Sequence, residues 1–356
     1  MNPEDRAKKR AEKLSNFNPN ENGLHDHGIF GLPFTPEESE IVLVPVPWEV
    51  TVSYNAGTAK GPQDILYASL QIDLFDELNP GAWRHGIAME EIPTEWDELS
   101  TKLREDVEFY LDSLTSGIEF HDNMGITGRV NRACEKLNTY IKAQTSKLLD
   151  EGKIVGLVGG DHSTPLGYLQ ALAERHSSFG ILQIDAHADL RDSYEGFTYS
   201  HASIFYNALQ IPQIKKLLQL GIRDFSEAEY ELSQSTSGIS ILITDYEIKK
   251  KTFRGISWHD QCMEYLSHLP DKVYISFDVD GLDPSLGPST GTPVPGGFKL
   301  EEVIYLFELL VDSGRQIIGF DLCEVAVDYN DWDSNVGSRI LYKLCMLAAR
   351  SKFGKN

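Results

Sequence analysis

Short apolar runs rich in β-branched residues alternate along this chain with stretches whose apolar residues recur at helical spacing. Runs that are apolar on both faces and separated by helices indicate a parallel sheet covered by helices on both sides. The pattern predicts strands over 41–46, 153–158, 180–184, 217–222, 239–243, 273–277 and 316–320, and helices over 132–149, 166–175 and 300–312. We therefore predict an α/β fold with three layers, α/β/α, around a mainly parallel sheet.

The chain is predicted to form one such domain preceded by a separate N-terminal segment. Its 356 residues would suit one large α/β domain or two ordinary ones, but no internal repeat and no long Pro- or Gly-rich linker divides them. Residues 1–38 are polar, and we expect them to form an arm outside the core, over a neighbouring subunit, with the α/β domain spanning 39–356. His25 and His27 lie in this arm without a strand behind them, so we expect both to be solvated.

The charge and the cysteine content exclude several classes of protein. Subtracting 54 acidic from 32 basic residues gives a net charge of −22, which repels nucleic acid and anionic membranes and attracts small cations. The four cysteines are scattered without a CxxC pair, so neither a zinc ribbon nor a disulfide framework is expected. No apolar run approaches the ~18 residues of a membrane span, and the first residues lack the apolar segment of a signal peptide. We expect a cytoplasmic protein with neither a nucleic-acid nor a membrane partner.

Carboxylates and imidazoles follow four of the predicted strands. The segments, in chain order, are Gly-Gly-Asp-His162, Asp185-Ala-His187-Ala-Asp189, Asp278-Val-Asp280 and Asp-Leu-Cys-Glu324. In a parallel sheet the carboxyl ends of all strands lie along one edge, where open α/β proteins place their ligands. These side chains are therefore expected to meet at one edge of the sheet.

The chemistry of these side chains indicates a pair of metal ions. Because alternate residues of an extended segment share a face, Asp185, His187 and Asp189 should converge, as should the two aspartates of the third segment. With His162 the set contains four carboxylates and two imidazoles, and cations would relieve the repulsion among the carboxylates. Six ligands exceed one tetrahedral site but suit two divalent ions with shared carboxylates. Oxygen-rich ligation with some imidazole favours Mn²⁺, with Ni²⁺, Co²⁺ or Fe²⁺ as alternatives.

These segments resemble the ureohydrolase family, which contains arginases, agmatinases, formimidoylglutamases and guanidine hydrolases. The resemblance is carried by the motifs at 159–162, 185–189 and 276–284, by the run Thr-Gly-Thr-Pro-Val-Pro-Gly-Gly at 290–297, and by the loop at 46–62. It extends over about residues 40–350. The resemblance implies an arginase-like α/β/α fold, a dinuclear site of the manganese type and a homo-oligomer, either a trimer or a hexamer.

The resemblance also implies how the six ligands divide between the two ions. His162 and Asp189 would bind the first ion, His187 and Asp280 the second, and Asp185 and Asp278 would bridge both. Two such ions lower the pKa of a bridging water, so that hydroxide is available near neutral pH. A guanidinium group is stabilised by resonance and resists free water, so this nucleophile suits its central carbon.

Further residues are implied to act on the substrate. Glu324 would orient a guanidinium group through a planar, bidentate pair. His201, which lies 12 residues beyond Asp189, would pass a proton to the departing amine, and Asp189 is counted with these two as catalytic. Arg191 stands where arginases carry an asparagine that reads the amino-acid head group, which favours an agmatinase-like enzyme over an arginase. We predict that Arg191 and Trp48 contact the substrate, Trp48 through an aromatic contact with a small cation.

Several functions stay open at this point. The first is hydrolysis of the C–N bond of a small cationic guanidino compound, agmatine or free guanidine, to give urea and an amine or ammonia. A formimidoylglutamate hydrolase would need a cationic pocket for the substrate carboxylates, which Arg191 alone hardly supplies. A mononuclear zinc deacetylase on a related fold would leave His162 and Asp280 without a metal role. A catalytically silent relative would not need all six ligands together with His201 and Glu324.

Overall fold

The computed structural model describes residues 1–21, 27–116, 122, 125–328 and 330–355. The strands in these ranges are β1 (Ile41–Val46), β2 (Ile87–Met89), β3 (Ile154–Gly159), β4 (Phe179–Ile184), β5 (Ile214–Ile222), β6 (Ser240–Thr244), β7 (Lys272–Asp278) and β8 (Gln316–Cys323). They form one sheet in the order β2-β1-β3-β8-β7-β4-β5-β6, and each neighbouring pair is parallel. The predicted α/β fold with a parallel sheet is confirmed.

Helices cover both faces of the sheet. They are α1 (Pro3–Leu14), α2 (Gly61–Ser69), α3 (Thr94–Thr115), α4 (Ile126–Asp150), α5 (Leu166–Ala173), α6 (Ile204–Ala208), α7 (Glu227–Ser235), α8 (Asp245–Phe253), α9 (Trp258–Leu266), α10 (Leu300–Asp312) and α11 (Trp332–Phe353). In β1, Ile41 and Leu43 point into an apolar cluster with α10 and α11, whereas Val42 and Val44 point into a second cluster with α3, α4 and α5. Among the described residues, no helix is both long enough and apolar enough to cross a bilayer.

Helix α4 illustrates why these segments are helical. Its buried residues include Val130, Cys134, Leu137, Ile141 and Leu148, whose spacing by three, four or seven residues places them in one stripe along a helix. Burying an apolar side chain of this size contributes roughly 1.5–3 kcal/mol. The stripe is visible in the sequence, and the predicted helix over 132–149 lies within the observed one.

The sequence prediction differs from the structure mainly at element ends and at the sheet edge. The edge strand β2 was missed because three residues are too few to display an alternating pattern. Strand β5 begins earlier than predicted, at Ile214, and β8 continues to Cys323. Asp321 therefore lies inside β8, not after it.

The order of the central strands determines where a site can form. Strands β3 and β4 are consecutive in the chain but are not neighbours, because β8 and β7 lie between them. The strands whose ends carry the predicted site residues are thus the adjacent set β3, β8, β7 and β4. The gap that opens where consecutive strands diverge is the usual ligand crevice of an α/β sheet.

The N-terminal helix is bound to its own chain by buried ion pairs. Arg6 and Arg10 of α1 reach the carboxylate of Glu40 at 3.1 and 2.9 Å, and Glu40 lies directly before β1. Arg10 also donates to the carbonyl of Glu38. Whether α1 additionally covers a neighbouring subunit stays a prediction.

Part of the N-terminal segment belongs to the core, contrary to expectation. Ile29, Phe30, Leu32 and Phe34 are buried in the same apolar cluster as α10 and α11. The expectation that residues 1–38 lie outside the core is therefore wrong for 29–34, a short apolar run that is interrupted by Gly31 and Pro33 and shows neither a helical nor a strand period. The imidazole Nδ1 of His27 lies 2.9 Å from the carbonyl oxygen of Gly31, and His25 lies outside the described residues.

The pairing of α1 predicts a large effect of removing one carboxylate. Glu40→Ala would leave Arg6 and Arg10 buried without their counter-charge, so we expect the free energy of unfolding to fall by about 3 kcal/mol, measured by urea denaturation. Glu12→Ala, which removes an exposed carboxylate from α1, is the matched control and should change stability by less than about 0.5 kcal/mol. Equal stability of the two variants would contradict a contribution from these ion pairs.

Candidate metal centre

The six predicted ligands lie together at the carboxyl edge of the central strands. One follows β3, three follow β4, one ends β7 and one lies in the turn after β7. In that order they are His162, Asp185, His187, Asp189, Asp278 and Asp280. Five of them are buried, and His187 is partly exposed. The structure therefore brings all six together from three separate segments.

Short backbone contacts hold these segments against each other. Asp278 Oδ1 accepts the backbone N–H of Asp280 at 2.9 Å, and Asp280 Oδ1 accepts that of Ala186 at 3.0 Å. At the same contact a Cβ on Gly281 would lie 2.7 Å from the backbone nitrogen of Asp185. Any side chain at Gly281 would therefore push the turn after β7 away from the end of β4.

One group of donor atoms surrounds His162. Its Nδ1 lies 3.0 Å from Asp185 Oδ2, 3.1 Å from Asp189 Oδ2 and 3.2 Å from Asp278 Oδ2. Within the described residues this buried nitrogen has no hydrogen-bond partner of acceptable geometry. An orphaned imidazole nitrogen facing three carboxylate oxygens is the arrangement expected where a divalent cation binds.

A second group of donor atoms surrounds His187 and shares Asp185 with the first. His187 Nδ1 lies 2.9 Å from Asp280 Oδ2 and 3.6 Å from Asp185 Oδ1. Asp280 Oδ2 is also buried, without a hydrogen bond from the described residues. Asp185 thus turns one oxygen towards each group, which fits two ions that share one carboxylate.

The electrostatics of the cluster favour bound cations. Burial, together with the charges of Asp280 and Asp185, raises the pKa of Asp278 well above its ordinary value. Burial and the charge of Asp185 likewise raise the pKa of Asp189 to about 7. Burial by itself would lower the pKa of His162, but the surrounding carboxylates raise it well above its ordinary value. Closely packed carboxylates of this kind are stabilised by positive charge.

The other nitrogen of His162 is held by Ser276 and Asp321, to which the sequence motifs alone assign no role. Its Nε2 lies 2.9 Å from Ser276 Oγ, and Ser276 Oγ donates to Asp321 Oδ2 at 2.7 Å. Because the serine proton is given to Asp321, Ser276 accepts the Nε2 proton of His162. The Nδ1 lone pair then faces the carboxylate group. The sequence feature that could have indicated this role is a polar residue inside each of two largely apolar strands, the serine in β7 and the aspartate in β8.

Glu324 lies beside the His162 group. Its Oε1 accepts the backbone N–H of His162 at 2.9 Å, and its own N–H donates to the carbonyl of Gly160. The residue is buried, and its backbone is left-handed with a φ of 64°. Burial and the nearby charge of Asp161 raise the pKa of Glu324 well above its ordinary value. A buried carboxyl group whose pKa is strongly perturbed beside a cluster of charged groups is a candidate functional residue.

His201 and Arg191 line a small cavity next to His187. The cavity has a volume of about 140 Å³, and its wall also includes Asp189, Tyr194, Asp224, Phe225 and Glu229. His201 Nδ1 lies 3.2 Å from Ser200 Oγ. Burial, and then the charges of His187 and Arg104, lower the pKa of His201 to about 3. The guanidinium of Arg191 stacks over Tyr194 and lies 3.7 Å from Glu229.

One side of this cavity wall, which contains Arg191, Tyr194, His201 and Ala202, comes from a loop that is tied at both ends. The loop runs over 190–203, between Asp189 and α6. At its base the carbonyl of Asp189 accepts the backbone N–H groups of Phe205 and Tyr206, and the Arg191 N–H donates to the carbonyl of Ala202. Asp189 itself has a left-handed backbone with a φ of 53°, an unfavourable conformation that persists where surrounding contacts fix it.

Trp48 does not lie where a substrate contact would require it. The side chain is fully buried, and its ring packs edge-on against Trp96 with the ring centroids 6.0 Å apart. The carbonyl of Trp48 accepts the N–H of Asp161, so the residue supports the segment that carries His162. The predicted aromatic contact of Trp48 with a substrate cation is therefore wrong, because a loop aromatic surrounded by apolar helices is drawn into the core.

Arg104 in α3 fixes the loop that faces His201. Its guanidinium is largely buried and donates to the carbonyls of Val50 and Val52. Between them, Thr51 Oγ1 accepts the backbone N–H of His201 at 3.3 Å and lies 3.5 Å from its Nδ1. Arg104 belongs to no motif, and one arginine within a long helix gave no sequence signal.

We predict that Arg104 controls the mobility of the 50–55 loop. Arg104→Met would remove charge-assisted hydrogen bonds worth about 1.5–3 kcal/mol, so amide hydrogen exchange over 50–55 should become about tenfold faster. Glu108→Gln removes only the ion-pair partner of Arg104 on the helix surface and should leave exchange in the loop unchanged. Identical exchange rates in wild type and Arg104→Met would exclude this role.

Comparison with known proteins gives consistent matches. A family model described as the arginase family matches residues 39–347. An N(1)-aminopropylagmatine ureohydrolase of Thermus thermophilus is 32% identical over 84% of this chain and 87% of its own length. An agmatinase of Bacillus anthracis is 28% identical over 83% of this chain and 87% of its own length. The fold matches the agmatine ureohydrolase of Thermoplasma volcanium with a TM-score of 0.67 and 24% identity, over 96% of this chain and 98% of that one.

Proposed function

The chain belongs to the arginase family, and we propose that it is a binuclear metal-dependent ureohydrolase that releases urea from agmatine or free guanidine. The observation that carries the proposal is the pair of imidazole–carboxylate groups sharing Asp185, with Glu324 bound to the backbone of His162 beside them. The ligands and the residue proposed to bind guanidinium thus occur in one continuous site.

Two Mn²⁺ ions are the proposed cofactors, with Ni²⁺ as the alternative. His162 and Asp189 would hold one ion, His187 and Asp280 the other, and Asp185 would contact both. The second bridging role, which the resemblance implies for Asp278, stays part of this proposal; Asp278 Oδ2 lies 3.2 Å from Nδ1 of His162. Such ions lower the pKa of bound water and so supply a nucleophile near neutral pH. A mononuclear zinc deacetylase would leave His162 and Asp280 without a metal role, so the placement of both among the other donor atoms argues against it.

Glu324 is proposed to orient the substrate. A guanidinium group presents paired N–H donors in one plane, which a carboxylate accepts in a bidentate manner. Glu324 Oε1 is already fixed by the His162 N–H, so the carboxylate has a defined plane. Holding the guanidinium against this plane would present its central carbon to the donor cluster and remove the entropy of random orientation.

His201 is proposed to move the proton. Its lowered pKa keeps the imidazole neutral at physiological pH, so that it can accept a proton and pass it to the departing amine. Ser200 and Thr51 lie against Nδ1 and would fix the orientation of the ring. His201 lines the same cavity as His187 and Asp189, which gives it access to the reacting group.

The charges around the cavity favour a cationic or neutral substrate over an anionic one. Among the described lining residues Arg191 is the one permanent cation, and its guanidinium is already close to Glu229. Asp224, whose side chain is largely exposed, adds a negative charge at the rim. Formimidoylglutamate carries two carboxylates and would meet these acids, so this alternative is disfavoured. Arg191 is proposed to contact the substrate beside its stacked Tyr194.

The assembly and the location of the enzyme are proposed from the resemblance alone. We propose a homo-oligomer, a trimer or a hexamer, in the cytoplasm. Light scattering of the purified chain would test the assembly, and fractionation of its host cell would test the location.

The proposed reaction predicts a specific pattern of urea release. The protein would be stripped with a chelator and reloaded with Mn²⁺ or Ni²⁺. Urea would be measured with guanidine, agmatine, N(1)-aminopropylagmatine, arginine and guanidinobutyrate, and formamide would be measured with formimidoylglutamate, whose hydrolysis releases no urea. We expect no urea from the stripped protein and restored release from guanidine or from agmatine compounds after reloading. Turnover of formimidoylglutamate alone, or full activity of the stripped protein, would refute the proposal.

Glu324→Gln tests the orienting role separately from metal binding. The amide oxygen can still accept the His162 N–H, but the negative charge opposite the substrate is lost. We expect kcat/KM to fall about 10- to 100-fold, which corresponds to a loss of roughly 1.5–3 kcal/mol, with an unchanged metal content by elemental analysis. Glu227→Gln, at an exposed site on α7, should behave as wild type. Wild-type turnover by Glu324→Gln would remove Glu324 from the mechanism.

A further inference from the structure

Two glutamines are buried side by side in the centre of the sheet. Gln183 lies in β4 and Gln219 in β5, each within an otherwise apolar stretch, and both are fully inaccessible to solvent. They are paired in the register of the sheet, so their side chains lie on the same face. A buried amide costs free energy unless its hydrogen-bonding groups are satisfied, so the partners of these two residues are informative.

The hydrogen bonds of the two glutamines form a chain that ends on a candidate metal ligand. Gln183 Nε2 donates to Asp185 Oδ2 at 2.8 Å, and Gln183 Oε1 accepts from Gln219 Nε2 at 2.6 Å. Gln219 Oε1 in turn accepts from Ser240 Oγ in β6 at 3.3 Å. The ionised carboxylate of Asp185 can only accept hydrogen bonds, so Gln183 must turn its NH2 group towards it. The amide oxygen of Gln183 then faces the NH2 group of Gln219, and both amides have partners.

The glutamines also fix the backbone that carries the other ligands after β4. Gln183 Nε2 donates to the carbonyl of His187 at 3.2 Å, and Gln219 Nε2 donates to that of Ala188 at 2.6 Å. The segment between Asp185 and Asp189 is therefore tied to the sheet from below at three points. Apolar side chains of the same volume would fill the space but could make none of these bonds.

The same register continues towards His162. Gln183 is paired with Ser276 in β7, and Ser276 with Asp321 in β8. Gln219, Gln183, Ser276 and Asp321 thus form a polar row across four adjacent strands, and all four are fully buried. Gln183 and Gln219 form one half of this row, in which Gln183 bonds to Asp185. Ser276 and Asp321 form the other half, in which Ser276 bonds to His162 Nε2.

We propose that this polar row is the positioning layer of the metal centre, in which Gln183, supported by Gln219, orients the Asp185 carboxylate while Ser276 and Asp321 orient the His162 ring. The inference rests on the proposed function, because it gives Asp185 and His162 their role as metal ligands. Its consequence is that metal affinity depends on residues that do not touch the ions. Outer residues that orient metal ligands change affinity by about 10- to 100-fold when removed.

The decisive experiment measures Mn²⁺ binding by the stripped full-length protein, by competition with a fluorescent chelator. Gln183→Met keeps the volume of the side chain but removes its donors, and we expect the Mn²⁺ affinity to fall about 10- to 100-fold. Gln261→Met is the matched control. Gln261 is equally buried, in α9, and bonds to Thr252, Ile256 and Tyr265 away from the site. We expect its Mn²⁺ affinity to stay within about twofold of wild type, although both variants melt at lower temperature without metal.

Two further variants keep the inference testable if Gln183→Met fails to fold. Ser276→Ala is a smaller change at the other half of the row, and it should lower the Mn²⁺ affinity by a similar factor. Gln219→Met should weaken binding less than Gln183→Met, because Gln219 reaches Asp185 only through Gln183 and otherwise holds the carbonyl of Ala188. The visible absorption spectrum of the Co²⁺-loaded protein should change in Gln183→Met and Ser276→Ala but not in Gln261→Met.

The outcomes separate this inference from the proposed function. If the wild-type chain binds neither Mn²⁺ nor Co²⁺, the proposed function fails. If wild type binds two ions per chain and the folded Gln183→Met and Ser276→Ala variants bind them equally well, the positioning role alone is overturned. If Gln261→Met loses as much Mn²⁺ affinity as Gln183→Met, the loss reflects a general loss of stability, and the positioning role is also overturned.

Discussion

The repulsion among buried carboxylates is the constraint on which the rest of this structure depends. Four aspartates from two strand ends lie within hydrogen-bonding distance of the same two imidazoles, and the raised pKa of Asp278 reflects the cost of placing them there. Such a cluster is stable only if positive charge accompanies it and if the chain prevents the carboxylates from turning away. The close approach at Gly281, the left-handed backbone of Asp189 and the polar row beneath Asp185 all serve the second requirement.

The parallel sheet meets this constraint through the order of its strands. Because β8 and β7 are inserted between β3 and β4, ligands that are far apart in the chain emerge at neighbouring positions of one edge. The ends of the strands fix the candidate metal ligands, whereas the loops after the strands supply much of the cavity wall. Position at a strand end or in a loop also decides exposure. Glu324, directly after β8, is buried like most of the candidate ligands, whereas the side chains of Arg191 and Asp224, which lie in loops, are considerably exposed.

The sequence was most informative where chemistry follows a strand. Two rules were enough to place His162, Asp185 and Asp280 at one edge. The carboxyl ends of parallel strands share one edge of the sheet, which depends only on strand direction, and alternate residues of an extended segment share a face, which is a local property. The polar row was not predictable in the same way. Gln183 and Ser276 are remote in sequence, and their contact depends on strand order and register, which no local pattern encodes. Trp48 was misjudged because its burial depends on α3 and α4 packing over its loop, a tertiary effect that an isolated aromatic residue does not reveal.

The loop over 190–203 has a consequence for how such a protein can diversify. Its base is closed by hydrogen bonds on the carbonyl of Asp189, so residues in the middle of the loop, away from His201, can be exchanged or inserted while the candidate ligands at the strand ends keep their positions. The middle of the loop can thus vary without moving the groups proposed to react. A lineage, or an engineer, could transplant this middle segment between relatives and so reshape the cavity wall without changing the candidate metal ligands.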